Sequence, residues 1–253
     1  MSVSRKHIAF AFILALISVG FALLAGAAHV SRSSKLCNGL DVRIRENYEF
    51  VTAEDIKEFL DKKYGAYIGV RLDSLDLGRI EKMLEENSVV LSSEAWTTSD
   101  GILHVSVSQR VPAVRFQRGD YGFYMDKTGF VFPLHKTYTA EVPVIEGAIP
   151  RIEDGGYDKW SEGVLQLLDY IAGSKIWKDR IEKISVANCG DIELKTVDGK
   201  ERFIFGFPDA IPEKFGKMGK YYSHILPSEG KGAGYYKSVN LKFNKQIICR
   251  KDI

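Results

Sequence analysis

Cysteine is scarce in this chain, and the scarcity limits both its chemistry and its scaffolding. Only Cys37, Cys189 and Cys249 occur among 253 residues, which is too few for a disulfide framework, and no pair has the spacing of a zinc knuckle. A Cys189–Cys249 bridge in an oxidising compartment and two small buried thiols both fit the sequence. The five histidines are scattered as well, so we expect no metal site.

Motifs for catalysis and phosphate binding are also missing. The chain contains no G-x-S-x-G elbow, no G-x-x-x-x-G-K-[ST] loop and no H-E-x-x-H pair. Acidic pairs such as Glu85-Glu86 and Glu153-Asp154 are better explained as solvated surface than as acid–base machinery. Gly155-Gly156 has no following lysine, so a loop explains it better than an anion cradle. We therefore expect no catalytic residue, no cofactor and no small-molecule substrate.

No excess of one charge is present either. The chain has 35 basic and 33 acidic residues, a net charge of +2, and the two signs are mixed along the sequence rather than clustered. A nucleic-acid partner would need a basic patch or stripe. We therefore expect no nucleic acid among the partners.

The chain does have one long apolar run near its beginning. Residues 8–28 carry no charge, and a helix of that length spans about 31 Å, close to the hydrocarbon thickness of a bilayer. A cleaved signal peptide is the alternative, because Ala25-Gly26-Ala27 resembles a cleavage site, but signal h-regions are usually shorter. The run predicts one transmembrane helix in contact with lipid. Basic residues flank both ends, yet a short tail at residues 1–7 before a large domain favours a cytoplasmic N-terminus.

The stretch from Ile102 to Phe116 organises the remainder of the chain. Leu103, Val105 and Val107 alternate with polar residues, which indicates a strand with one buried face. Pro112 removes a ladder donor, so the strand must end, bulge or run along an edge there, and a new apolar run begins after it. Before it, the pattern predicts a β-α-α-β-β domain at residues 36–112, with a helix capped by Thr52 and Asp55 and a second helix after Asp73.

After Pro112, residues 113–253 predict a mostly antiparallel β domain with flanking helices. A hairpin turns at Asp126-Lys-Thr-Gly129, a helix carries Trp160, and Pro212 lies in the first turn of another helix. Val239, Leu241 and Phe243 alternate with polar residues, which predicts a long final strand. The fold class is therefore α+β. An exposed edge on that last strand would invite strand addition by a partner.

These pieces together resemble the bacterial cell-division family FtsQ/DivIB, in which a short tail and one span precede a POTRA domain and a β domain. Three stretches carry the resemblance: VSVSQRVPAVRF at 105–116, GFYMDKTGFVFPL at 122–134 and SVNLKFNKQIIC at 238–249. The final Ile-Ile-Cys run departs from the more polar tail of some relatives.

The resemblance implies a non-enzymatic, single-pass protein of the cell inner membrane, with most of the chain periplasmic and located at the division septum. It implies FtsB/DivIC-like and FtsL-like partners, and a role in controlling septal peptidoglycan synthesis. The partner would add a strand beside the last strand, and the matching positions are Phe243, Asn244, Lys245, Gln246 and Ile247. Arg110 and Pro112 fit a kink and an ion pair at the domain junction; the family also suggests docking of upstream division proteins there.

Three other classes remain to be distinguished. An exported POTRA protein of an envelope assembly or secretion system would need a barrel downstream. A secreted envelope hydrolase would need catalytic residues that the sequence does not show. A soluble exported binding module would lack the N-terminal segment in its mature form.

Overall fold

The computed structural model describes residues 14–21, 35–152, 158–228, 232 and 234–251. Residues 14–21 are helical, and in these ranges no helix has the length and apolar character needed to cross a membrane. The predicted tail at residues 1–7 and most of the predicted membrane helix at residues 8–28 lie outside the described residues. The chain divides into two compact units, one ending at Gln109 and the next beginning at Arg110.

Within residues 35–109, the first unit is a three-stranded sheet with two α-helices, in the predicted β-α-α-β-β order. Its elements are β1 (Gly39–Ile44), α1 (Ala53–Lys63), α2 (Leu77–Glu85), β2 (Val90–Thr97) and β3 (Ile102–Gln109), with a 3₁₀ turn at Leu72–Ser74 before α2. Strand β3 lies in the middle, parallel to β1 and antiparallel to β2. The sheet therefore has β1 and β2 as its edge strands.

Local sequence explains where the two helices begin. The Thr52 hydroxyl accepts the Asp55 N–H at 3.2 Å, and the Asp55 carboxylate accepts the Thr52 N–H at 2.9 Å, so the predicted capping box is present. Helix α2 is capped by Asp76, whose carboxylate accepts the Arg79 N–H at 2.9 Å, whereas Asp73 lies in the preceding 3₁₀ turn.

The core of the first unit comes from the apolar stripes of both helices and the inner face of β3. The fully buried apolar residues of these three elements, each at most 3% exposed, are Ile56, Leu60, Ile80, Leu84, Leu103, Val105 and Val107. The apolar residues of β3 are buried as the alternation predicts, but Ser106 and Ser108 on the opposite face are buried as well, so the expected solvated face is wrong for this part of the strand, which lies between two others.

The described residues of the second unit form a nine-stranded sheet. Its strands are β4 (Pro112–Arg118), β5 (Tyr121–Asp126), β6 (Val131–Pro133), β7 (Val144–Gly147), β8 (Ile181–Val186), β9 (Ile192–Thr196), β10 (Arg202–Gly206), β11 (Ser238–Asn240) and β12 (Ile248–Arg250). Their order in the sheet is β12-β11-β10-β9-β8-β7-β4-β5-β6. Strands β4, β7 and β8 are parallel to one another, as are β10 and β11, and the other neighbours are antiparallel. The predicted mostly antiparallel sheet is confirmed.

Strand β7 is the central element that the sequence pattern did not predict. It joins β4 on one side to β8 on the other, and Ile145 is fully buried. Gly147 at its end has φ 113°, and a Cβ there would lie 2.2 Å from the Val186 carbonyl oxygen. The close approach of β7 to β8 at this point therefore requires glycine.

Helices pack on this sheet through an aromatic core. They are α3 (Lys159–Gly173) and α4 (Ile211–Lys220), followed by a π-helical turn at Tyr221–Ile225 and the short α5 (Leu226–Ser228). Pro212 lies in the first turn of α4, as predicted. The largest buried core side chains on the strands and α4 include Phe203, Phe205 and Phe215, each at most 1% exposed.

Two expectations about the C-terminal part are wrong. The long final strand does not form: β11 ends at Asn240, and β12 begins only at Ile248. None of the three cysteines is in a disulfide, and Cys37 is buried, Cys249 half-buried and Cys189 exposed, so neither a bridge nor a pair of fully buried thiols describes Cys189 and Cys249.

Candidate partner-binding site

The predicted contact residues Phe243, Asn244, Lys245, Gln246 and Ile247 lie together in the loop between β11 and β12, and none of them is on a strand. Lys245 has φ 58°, a left-handed conformation that interrupts any continuous strand. The carboxamide oxygen of Asn240 accepts the Lys242 N–H at 3.0 Å, which begins the turn. Strand β11 ends at Asn240 although the alternation continues to Phe243. Asn240 and Asn244 favour turns, and they are the sequence signal for this break.

The edge strand next to this loop is β12, which lies at one end of the sheet order. The Arg202 N–H donates to the Lys237 carbonyl and the Leu241 N–H to the Ile204 carbonyl, so the odd-numbered residues of β11 face β10. The even-numbered ones face β12, where Ser238 lies opposite Arg250 and Asn240 opposite Ile248.

The direction of each backbone group on β12 follows from that register. Because backbone N–H and C=O groups alternate in direction along a strand, those of Ile248 and Arg250 point towards β11 and those of Cys249 point to the other side. The side chain of Cys249 packs against the core, and that of Ile248 is 39% exposed. At Cys249 the side chain therefore faces the core, while the backbone N–H and C=O groups point away from β11.

A buried lysine of α4 holds the loop in place. The Lys217 ammonium donates to the carbonyl of Leu241 at 3.2 Å and to that of Phe243 at 2.9 Å, and it pairs with Glu213 at 3.1 Å. The Phe243 side chain remains 47% exposed on the outside of this anchored backbone. The exposed Phe243 side chain is thus carried by a loop backbone that Lys217 holds in place, next in sequence to the edge strand.

The surroundings of the loop and β12 are basic. From Tyr235 to Lys251 the chain carries Lys237, Lys242, Lys245, Arg250 and Lys251 and no acidic residue. The Asp191 carboxylate, 2.5 Å from Lys242, raises the pKa of that ammonium. Burial, then the nearby Glu201, raises the pKa of the Tyr221 hydroxyl under this part of the sheet. The pairing with Asp191 therefore favours the charged form of Lys242.

The predicted junction residues lie at the start of the second unit. Pro112 begins β4, opposite Asp126 in the register. The Arg110 guanidinium donates to Asp126 Oδ2 at 3.0 Å and lies 3.6 Å from the centre of the Phe130 ring. The other oxygen of Asp126 accepts from the N–H and hydroxyl of Thr128 and from the Phe130 N–H. One buried carboxylate thus joins Arg110 to the hairpin turn.

Comparison with known families defines the class of protein. A POTRA-like domain model matches residues 35–108, and a model described as FtsQ/DivIB, C-terminal related, matches residues 111–250. The second match covers more than half of the chain. The chain belongs to the FtsQ/DivIB family, and the resemblance found in the sequence is confirmed.

A curated relative agrees with this assignment. The chain is 26% identical over 189 residues to the cell division protein FtsQ of Syntrophotalea carbinolica. The aligned part covers 73% of this chain and 65% of the relative, so the chain spans a little under two thirds of the length of that protein.

Proposed function

We propose that this chain is a non-enzymatic cell-division protein that binds a partner by strand addition to β12. The observation that carries the proposal is the position of β12 at the end of the sheet, with the backbone groups of Cys249 directed away from β11. Main-chain hydrogen bonds would supply affinity, and side chains that alternate along the edge would supply specificity. Family membership supports the division role.

The partners that fit are FtsB/DivIC-like proteins, together with FtsL-like proteins. The basic residues around β12 suit a partner strand that is flanked by acidic residues, because opposite charges speed encounter and fix orientation. The exposed Phe243 ring, carried on a backbone that Lys217 anchors, offers an apolar contact beside the added strand. Through these partners the protein would help to control septal peptidoglycan synthesis.

The remaining parts of the chain have matching roles in this proposal. Residues 8–28 are the single membrane anchor in the inner membrane, residues 1–7 are the cytoplasmic tail, and the following domains are periplasmic at the septum. The domains are the POTRA-like domain at 36–112 and the β domain at 113–253. Arg110 and Pro112 form the junction that sets the start of the β domain, which the Arg110–Asp126 contact supports.

A proline at Cys249 tests the mechanism. Cys249→Pro removes the N–H that points away from β11 and leaves the donors of Ile248 and Arg250 for the hairpin. We expect the affinity for the periplasmic segment of the FtsB/DivIC-like partner to fall at least about tenfold, since several edge contacts depend on that register. Titration calorimetry with the full chain in detergent measures the affinity.

The control is Cys249→Ala, which keeps the backbone N–H and should bind within about twofold of the wild type. Phe243→Asp is a second variant that removes the apolar contact and should also weaken binding. A proline at Lys245 is unsuitable, because the left-handed φ there is closed to proline and the loop itself would change. Wild-type affinity in a folded Cys249→Pro chain would show that β12 is not the binding edge.

A further inference from the structure

The outer side of β2 is occupied by side chains of α2. The Ala95 N–H donates to Glu81 Oε1 at 2.7 Å, and the Ser93 N–H donates to Glu85 Oε1 at 2.9 Å. The Ser93 hydroxyl adds a bond to the Glu81 carbonyl at 3.0 Å. Glu85, which the sequence suggested was simply solvated, is thus a hydrogen-bond acceptor for a strand.

The spacing of the two glutamates along α2 matches the spacing of the outward N–H groups along β2. The glutamates are four residues apart on α2, a rise of about 6 Å, and the two N–H groups that they accept are two residues apart on β2, about 6.8 Å. An antiparallel neighbour strand would use these same two N–H groups, because outward-pointing donors recur at every second residue. The carboxylates therefore stand where the carbonyls of an added strand would stand.

The strand they cover has features of one that would otherwise pair. Strand β2 is eight residues long, it is an edge strand of its sheet, and Leu91 and Trp96 on it are 52% and 36% exposed. A long edge strand with exposed apolar side chains is a template for pairing with another chain. Hydrogen bonds to charged acceptors are among the stronger ones and resist displacement.

We propose that Glu81 and Glu85 close the β2 edge to strand addition, and that the strand they chiefly exclude is β2 of a second copy of this chain. Two identical edges can pair about a two-fold axis without any other change in the subunit. The closure restricts which edges of the protein can capture a partner strand. This inference does not depend on the function proposed for β12.

The test is the double variant Glu81→Ala/Glu85→Ala in the full chain in detergent. Alanine favours the helix, so α2 should remain folded, which circular dichroism verifies. We expect faster hydrogen exchange at the Ser93 and Ala95 amides. We also expect sedimentation velocity to show that the variant forms dimers at a concentration roughly tenfold lower than the wild type requires.

The matched control is Glu81→Gln/Glu85→Gln, which removes both charges but keeps an amide oxygen as acceptor. It should remain as monomeric as the wild type and keep most of the amide protection. Adding Ala95→Pro to the alanine variant removes an outward N–H and should return it to the monomer. A folded alanine variant with unchanged exchange and unchanged association would overturn the proposal. Dimers that persist with Ala95→Pro would also overturn it, since they would form through another surface.

Discussion

At the scale of single residues, Tyr67 shows how burial decides a titration. The side chain is 3% exposed in the core of the first unit. Burial, followed by a hydrogen bond to Asp61, raises the pKa of its hydroxyl from 10.0 to about 12. The neutral form is therefore strongly preferred in the folded chain, and this preference is a contribution to stability that depends on pH.

The alkaline stability of the first unit should report this shift. Above pH 10 the unfolded chain loses the Tyr67 proton and the folded chain keeps it until about pH 12, so the contribution is full below pH 10 and is lost between these values. In Tyr67→Phe, the fall in the free energy of unfolding across that window should be smaller by about 2–3 kcal/mol. Urea unfolding at a series of pH values measures both chains, and parallel curves would contradict the assignment.

Some residue roles could be predicted from sequence and others could not. The Thr52–Asp55 capping box depends on residues three apart and was visible in the pattern. The bonds from Glu81 and Glu85 to β2 depend on how a helix lies against a strand, and no local pattern encodes that placement. The left-handed backbone of Lys245 could not be predicted, because apolar and polar residues alternate in the sequence just before it while the backbone is no longer a strand there.

At the scale of elements, the β11–β12 hairpin is short and relies on α4. Each of its strands has three residues, and two short strands alone are marginal in water. The Lys217 ammonium bonds two carbonyls at the start of the connecting loop. Helix α4 therefore helps to determine the shape of the proposed binding edge.

Lys217→Met should loosen this hairpin. The methionine fills much of the same space but leaves the carbonyls of Leu241 and Phe243 without their donor, at a cost of about 1–3 kcal/mol. We expect faster hydrogen exchange across residues 241–250 with little change in β4 and β5. Lys220→Met, at an exposed position on the same helix, is the control and should exchange as the wild type does. Equal exchange in both variants would show that Lys217 does not hold the loop.

Element prediction succeeded for β3 and α3, and it failed for β7 and for the long final strand. The eight-residue β3 and the fifteen-residue α3 follow their apolar patterns. The four residues of β7 are too few to show a period, and only Ile145 among them is buried, so no apolar run marks the strand. The alternating pattern suggested the C-terminal edge, and the family resemblance supplied the contact positions 243–247. The division of the site into a loop and an edge strand depends on Lys245 being left-handed, which the sequence pattern does not encode.

At the scale of the whole molecule, the chain consists of two compact units with separate cores. Ile80 is fully buried in the first and Phe203 in the second. The family models divide the sequence in nearly the same place, with one match ending at residue 108 and the other beginning at residue 111. Each unit has the sheet and helices needed to bury its own apolar surface.

Core truncations should therefore act on one unit at a time. We expect Ile80→Ala to lower the stability of the first unit by about 2–5 kcal/mol, and Phe203→Ala that of the second by about 3–5 kcal/mol. Hydrogen exchange during mild urea unfolding, resolved by peptide, distinguishes the units. If either variant destabilises both units equally, the chain unfolds as one cooperative block.

The position of β7 has a consequence for how this chain can vary in length. The strand is paired over three residues with β4 and over three with β8. Among the residues that the structure describes, it is therefore the only strand that links β4, β5 and β6 to the strands from β8 to β12. Inserting or deleting one residue within 144–147 would turn Ile145 outward and shift both ladders together. Insertions and deletions between relatives should therefore accumulate in surface loops and spare these four positions.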